Sequence, residues 1–158
     1  DLDYLVIDMP PGTGDIHLTL AQRMPVTGAI IVTTPQDIAL LDARKGLKMF
    51  EKVGIPVLGI VENMAMHQCS ACGKIEHIFG EGGGRRMADQ YEVAYLGALP
   101  LELKIRQQSD EGCPTVVAEP NSPISDLYRS IARKLAVALA ARAVSHASKF
   151  PSIVVQNT

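Results

Sequence analysis

Four short apolar runs punctuate the chain, at Tyr4–Ile7, Ala29–Thr33, Val57–Val61 and Tyr95–Leu99. In the first, polar alternation is absent, and a continuous run of this kind predicts a strand buried on both faces of a parallel sheet. Between the runs the spacing turns helical. Ile16–Met24 is a modest candidate. Ile38, Leu41, Leu47, Phe50 and Val53 fall near helical spacing, with Gly54 and Pro56 supplying the stop. Arg85–Tyr91 predicts a further short helix. The clearest helix opens with Ser122 as N-cap, Pro123 at the first helical position and Asp126 in the first turn. Its apolar face runs Ile124, Leu127, Ile131, Leu135, Ala138, and the pattern continues to about Ser145. Alternating strands and helices predict an α/β fold, a parallel sheet flanked by helices. One insertion, residues 64–84, breaks the rhythm. It carries C-S-A-C-G and G-E-G-G-G with few large apolar residues, and segments of this length without an apolar pattern are usually functional or mobile. The last residues, 149–158, contain Pro151 and no helical pattern, and read as a tail.

Composition narrows the class. With 158 residues, 47% of them hydrophobic and 20% charged, the chain is long and apolar enough for one domain with a real core. A net charge of −2 gives no basic surface for nucleic acid or for a membrane. No apolar run approaches the roughly 20 residues that span a bilayer, and no basic leader precedes an apolar stretch. Two of the three cysteines form C-x-x-C, which suits a reducing compartment better than a disulfide scaffold. The expectation is a cytoplasmic domain without a membrane or nucleic-acid partner.

Chemistry is carried by three places. Asp8 ends the first apolar run and is followed by Pro10-Pro11-Gly12-Thr13-Gly14. A strand delivering a carboxylate toward Mg²⁺, then a glycine whose amide approaches a γ-phosphate, is the layout of a Walker B strand and second switch loop. The plainer alternative is a capping aspartate. A phosphate-cradling loop that has lost its lysine fits less well, because Asp15 would repel phosphate and Ile16 offers no hydroxyl for Mg²⁺. The sequence contains no G-x-x-x-x-G-K-[ST]. Cys69 and Cys72 can grip one face of a metal centre, but no second C-x-x-C exists. Either His67 and His77 complete a zinc site within one chain, or two chains share one centre across a two-fold axis. Spacing alone leaves both open. Asn63 follows the third strand, where a side-chain amide can read a base edge, although a turn-forming Asn is the simpler assignment. Thr34 is a candidate helix cap with Pro35 at the helix start. Gly80–Gly84 with Arg85 and Arg86 reads as a flexible hinge in preference to an anion nest. Cys113 lies outside any ligand pattern and reads as a small buried residue.

Taken in order, "DYLVIDMPPGTGD", "VTTPQDIALLDARKGLKMFEKV", "PVLGIVENM", "CSACG", "IFGEGGG" and "LGALPL" resemble successive blocks of the Mrp/ApbC family. Those proteins are P-loop ATPases that carry iron–sulfur clusters, related to the partitioning and nitrogenase-iron-protein group. The resemblance runs from about Asp3 to Leu139. It implies Cys69 and Cys72 as ligands of a [4Fe–4S] cluster bridged between two subunits. It also implies Asp8 near Mg²⁺, Gly12 near the γ-phosphate of ATP and Asn63 near adenine. Apo iron–sulfur proteins would be the recipients, and the subunits a homodimer or swapped oligomer. In the family, the P-loop and its lysines lie upstream of the strand that matches Tyr4–Ile7. The expectation is therefore a carboxy-terminal portion, an incomplete P-loop NTPase-like domain over residues 1–148, without ATPase activity on its own. The P-loop strand of related folds lies between the strands matching Tyr4–Ile7 and Ala29–Thr33, so those two strands would either pair directly or keep open inner edges.

Overall fold

The structure, a computed structural model, describes residues 2–10, 19 and 23–147. In chain order its elements are β1 (Ala29–Thr33), α1 (Asp37–Lys52), β2 (Val57–Glu62), β3 (His67–Gln68), β4 (Ile75–Glu76), α2 (Gly83–Gln90), β5 (Tyr95–Ala98), α3 (Leu103–Asp110), α4 (Thr115–Ala118) and α5 (Pro123–Ala147). Strands β1, β2 and β5 form one parallel sheet in that spatial order, with Ile31 opposite Ile60 and Thr33 opposite Glu62. Strands β3 and β4 form a separate antiparallel hairpin.

Side chains of successive strand residues point to opposite faces, so the sheet builds two cores. On one face Ile31 and Ile60 meet Leu40 and Leu47 of α1 and Met87 and Ala88 of α2. On the other, Val61, Leu96 and Leu99 pack with Ile30 and with Tyr128 and Ile131 of α5. The helices end where the sequence supplies the stop. At the end of α1, Gly54 takes φ +74°, its N–H bonds Glu51 O at 3.2 Å, and the Ile55 N–H reaches back to Phe50 O at 3.0 Å. That pair of bonds is a Schellman closure. At the start of α5, Ser122 Oγ accepts the Ser125 N–H at 3.2 Å, the N-cap bond its position predicts.

The two edges of the sheet differ. On the β5 edge, Lys134 of α5 donates from Nζ to the Leu96 carbonyl at 2.7 Å, which occupies a free acceptor of the edge strand. The β1 edge pairs with no described strand, and Val32 is 62% exposed there. A strand expected at Tyr4–Ile7 is not formed. All four side chains are exposed, Val6 at 82%, and the segment has no regular structure. Apolar character alone does not make a strand, because the backbone groups need a neighbouring ladder. No described strand pairs with this segment, so direct pairing with β1 does not occur. Most of the helix expected at Ile16–Met24 and all of the tail 149–158 lie outside the described residues.

Candidate metal and nucleotide site

Parallel strands put all their carboxyl ends on one edge of the sheet, and there the chain leaves β1, β2 and β5 side by side. Main-chain bonds lock these exits together. Asn63 N–H donates to Thr33 O at 2.7 Å, Leu99 N–H to Glu62 O at 2.9 Å, Ala65 N–H to Leu99 O at 2.9 Å and Leu101 N–H to Met66 O at 2.7 Å. Asn63 itself is half-buried, and its Oδ1 accepts the Met64 N–H at 3.0 Å. Met64 takes a left-handed φ of +54°, which turns the chain from the sheet edge into the insertion.

The insertion is a hairpin that presents its cysteines at the turn. Strand β3 pairs with β4, the Cys69 N–H donates to Lys74 O at 2.9 Å, and the Gly73 N–H returns to Cys69 O at 2.8 Å. Gly73 has φ +72°, which only glycine adopts without strain. This turn aims the main-chain N–H groups of Cys72 and then Ala71 at the Cys69 sulfur, with help from the Cys72 thiol. These donors hold the Cys69 pKa below the ordinary thiol value. Cys69 is half-buried, Cys72 exposed, and neither is in a disulfide. A thiolate stabilised by backbone donors before any metal arrives is a preorganised ligand.

The two histidines do other work. His67 Nδ1 lies 3.0 Å from Leu101 O, and His77 Nδ1 lies 2.8 Å from Ala65 O. Each ring therefore clips one arm of the hairpin to the strand exits. Among the described residues no three His, Cys, Asp or Glu side chains converge on a point that could hold a metal ion. The structure thus brings Cys69 and Cys72 together without His67 or His77.

Behind the hairpin, Gly80–Gly84 is fixed in place and is not the free hinge the sequence predicts. Gly80 and Gly82 take φ +94° and +65°. A Cβ on Gly83 would stand 2.6 Å from Pro35 O, and one on Gly84 would stand 2.9 Å from Glu62 Oε2. Two of these glycines serve a left-handed backbone and two serve close approach. The Gly84 N–H is bonded to the Glu62 carboxylate and is therefore taken from any anion nest there.

The nucleotide candidates are less assembled. Asn63 sits at the sheet edge, Asp8 lies on the exposed unpaired segment, and Gly12 lies outside the described residues. Among the described residues no hydrogen bond joins Asp8 to Asn63, so these positions do not by themselves make a nucleotide cradle. Thr34 does not cap α1. That helix starts at Asp37 after Gln36, and Thr34 Oγ1 is buried without a partner. Cys113 is half-buried in the Schellman closure of α3, its N–H on Gln108 O at 2.9 Å. Sequence reading missed Glu62, which is only 3% exposed at the end of β2. The available signal was a carboxylate at the end of an otherwise apolar strand, facing a glycine run.

Residues 1–136 match the family model described as "ParA: NUBPL iron-transfer P-loop NTPase". The chain is 67% identical over 132 residues to an iron-sulfur cluster carrier protein of Pseudomonas fragi, covering 84% of this chain and 46% of that protein. It is 59% identical to the Escherichia coli K12 iron-sulfur cluster carrier protein, over 88% of this chain and 38% of the relative. Against the mouse iron-sulfur cluster transfer protein NUBPL it is 52% identical, over 85% and 42%. The chain thus spans less than half the length of these relatives. Among solved structures it resembles a nucleotide-binding protein of Archaeoglobus fulgidus in complex with ADP, with TM-score 0.64 and 40% identity over 77% of this chain and 49% of that one. It also resembles the Pyrococcus furiosus cell division ATPase MinD, with TM-score 0.55 and 25% identity over 70% and 43%.

Proposed function

This chain belongs to the NUBPL-type iron-transfer family of P-loop NTPases, and from that premise we propose that it carries iron–sulfur clusters on Cys69 and Cys72 and passes them to apo-proteins. The observation that supports this most directly is the hairpin turn, closed by the Cys69 N–H on Lys74 O and the Gly73 N–H on Cys69 O, which presents a half-buried Cys69 with an exposed Cys72. A [4Fe–4S] cluster takes four thiolates and this hairpin offers two, so a second chain would supply the other pair. An intra-chain zinc site needs His67 and His77 beside the two cysteines, and among the described residues no three His, Cys, Asp or Glu side chains converge to hold a metal ion.

Transfer follows from exposure. Cys72 is exposed at the tip of a narrow hairpin, so a recipient's thiolate could reach a cluster iron held there and replace Cys72 as its ligand, Cys72 leaving as a thiolate, and ligands would be exchanged one at a time. The Cys69 sulfur keeps its N–H donors throughout and steadies the remaining anchored charge.

ATP and Mg²⁺ belong to the same proposal, with Asn63 toward adenine, Asp8 toward the metal and Gly12 toward the γ-phosphate. The chain lacks G-x-x-x-x-G-K-[ST], so the 158 residues alone are expected to release phosphate from ATP only at background rate. Its compartment in this reading is the cytoplasm, where reduced thiols persist. Among the described residues no helix is long and apolar enough to cross a membrane.

The test is anaerobic reconstitution with iron and sulfide, followed by metal and sulfide analysis, the visible spectrum and light scattering. The expected product is one four-iron cluster per pair of chains. A Cys72→Ser chain that retains the full cluster would refute the ligand assignment, and one zinc per chain after aerobic purification would favour an interaction module instead.

A further inference from the structure

The most buried ionisable side chain beside the hairpin is one the cluster chemistry does not use. Glu62 is the last residue of the central strand β2 and is 3% exposed. Its Oε2 accepts the N–H of Gly84 in the first turn of α2. Four unpaired N–H groups open any helix, and their partial positive charge favours a carboxylate at this end. The neighbours are shaped around this contact. A Cβ on Gly84 would stand 2.9 Å from Glu62 Oε2 and 3.0 Å from Glu62 Cβ. Next to Gly84, Arg85 lies over the Tyr95 ring at 4.3 Å, and burial followed by the Glu62 charge raises the pKa of that tyrosine.

We propose that Glu62 is a positioning residue for the cysteine hairpin: its carboxylate latches the start of α2, and so the trailing arm of the hairpin, to the strand that ends in Asn63. The leading arm leaves β2 directly through Asn63 and Met64. The trailing arm runs from Ile75 through His77 to Gly84; besides its pairing with β3 and the burial of Met87 and Ala88 further along α2, two polar contacts tie it to the strand exits, His77 Nδ1 on Ala65 O and Gly84 N–H on Glu62. With both in place, the turn that aims N–H groups at Cys69 is held from two sides. Without the latch, the first turn of α2 loses its bond to β2, and His77 is left as the polar tie between the trailing arm and the strand exits. This role rests on the reading of Cys69 and Cys72 as metal ligands only for its functional consequence, not for the latch itself.

The experiment uses the full chain in four forms: wild type, Glu62→Ala, Glu62→Gln and, as a control in the core on the opposite face of the sheet, Leu96→Ala. Hydrogen exchange is followed at the amides of residues 65–77 relative to those of β2, and anaerobic Co²⁺ titration reports thiolate binding. In Glu62→Ala the hairpin amides should exchange about tenfold faster relative to β2, and Co²⁺ should bind about tenfold more weakly, the scale of a lost outer-shell partner. Glu62→Gln keeps an oxygen that can accept from Gly84 and should return both within about threefold of wild type. Leu96→Ala, destabilised in the core against α5, should leave the hairpin-to-β2 exchange ratio unchanged. The proposal is overturned if Glu62→Ala leaves that ratio at wild type, if Leu96→Ala raises it equally, or if Glu62→Gln fails to restore it. A wild-type chain whose thiolates bind no Co²⁺ overturns the ligand reading instead, while the exchange ratio still decides the latch.

Discussion

His77 closes the hairpin base by placing Nδ1 2.8 Å from the carbonyl oxygen of Ala65, twelve residues earlier in the chain. An acceptor at Nδ1 fixes the tautomer, because the proton must sit on that nitrogen to donate. Ala65 is 4% exposed, so its carbonyl has little water to replace a lost partner. His77→Ala should therefore destabilise the chain by about 1–3 kcal/mol, the cost of an unsatisfied buried acceptor. His77→Asn, whose amide can donate from nearly the same place, should recover part of this. Urea unfolding of the three chains would check it, and an unchanged midpoint in His77→Ala would remove the clip from the account.

Helix ends give a second prediction. Helices α1, α2 and α3 all finish with the same pair of backward bonds, from Gly54 and Ile55, Glu92 and Val93, and Gly112 and Cys113. The left-handed residue is glycine in two, with φ +74° and +73°, but Glu92 in the third, with φ +53°. A side chain there costs about 1 kcal/mol. Glu92→Gly should raise stability by about that amount, and Gly112→Ala, where a Cβ meets nothing within 4 Å, should lower it similarly. Equal melting temperatures for Glu92→Gly and wild type would contradict the strain argument.

The glycines behind the hairpin should behave differently from those at helix ends. A methyl at Gly83 runs into the Pro35 carbonyl and the Leu40 side chain, at 2.6 and 2.8 Å, and backbone cannot step aside cheaply. Gly83→Ala should cost about 1–3 kcal/mol or more, as overpacking does. Glycine at helix ends is a matter of dihedral angle alone, so Gly83→Ala should destabilise more than Gly112→Ala. Thermal melts of the two variants give the order directly, and the reverse order would restore the hinge reading.

Much of this was legible in the sequence, for definable reasons. Ala29–Thr33, Val57–Val61 and the helix from Pro123 were readable because each buries an apolar pattern and carries its own punctuation, as Gly54 and Ser122 show. Helix α3 was not, because none of its residues is buried and so no periodicity marks it. The glycine run was misread because φ and close approach are tertiary properties, and Gly83 is explained only by where Pro35 stands. Tyr4–Ile7 failed in the opposite sense, being apolar enough for a strand but without a described neighbour. At the candidate site the cysteines were visible from spacing. The latch by Glu62 and the clips by His67 and His77 depend on partners 22, 34 and 12 residues away.

The pH behaviour of Cys69 is the most direct check on the turn. Main-chain donors from Cys72 and then Ala71 lower its pKa in the folded chain. Unfolding removes those donors, so the folded pKa lies below the unfolded one. The stability this contributes is present above the unfolded pKa and is lost as pH falls through the folded pKa. The thiolate is the reactive form, so alkylation of Cys69 by iodoacetamide should rise with pH earlier in native buffer than in urea. Peptide-level mass spectrometry separates Cys69 from Cys72 and Cys113 in one experiment. Metal-free, reduced protein is needed, because any bound cation would depress the same midpoint. Coincident native and urea profiles for Cys69 would mean that the N–H groups do not reach the sulfur in solution, and the preorganised thiolate would have to be abandoned.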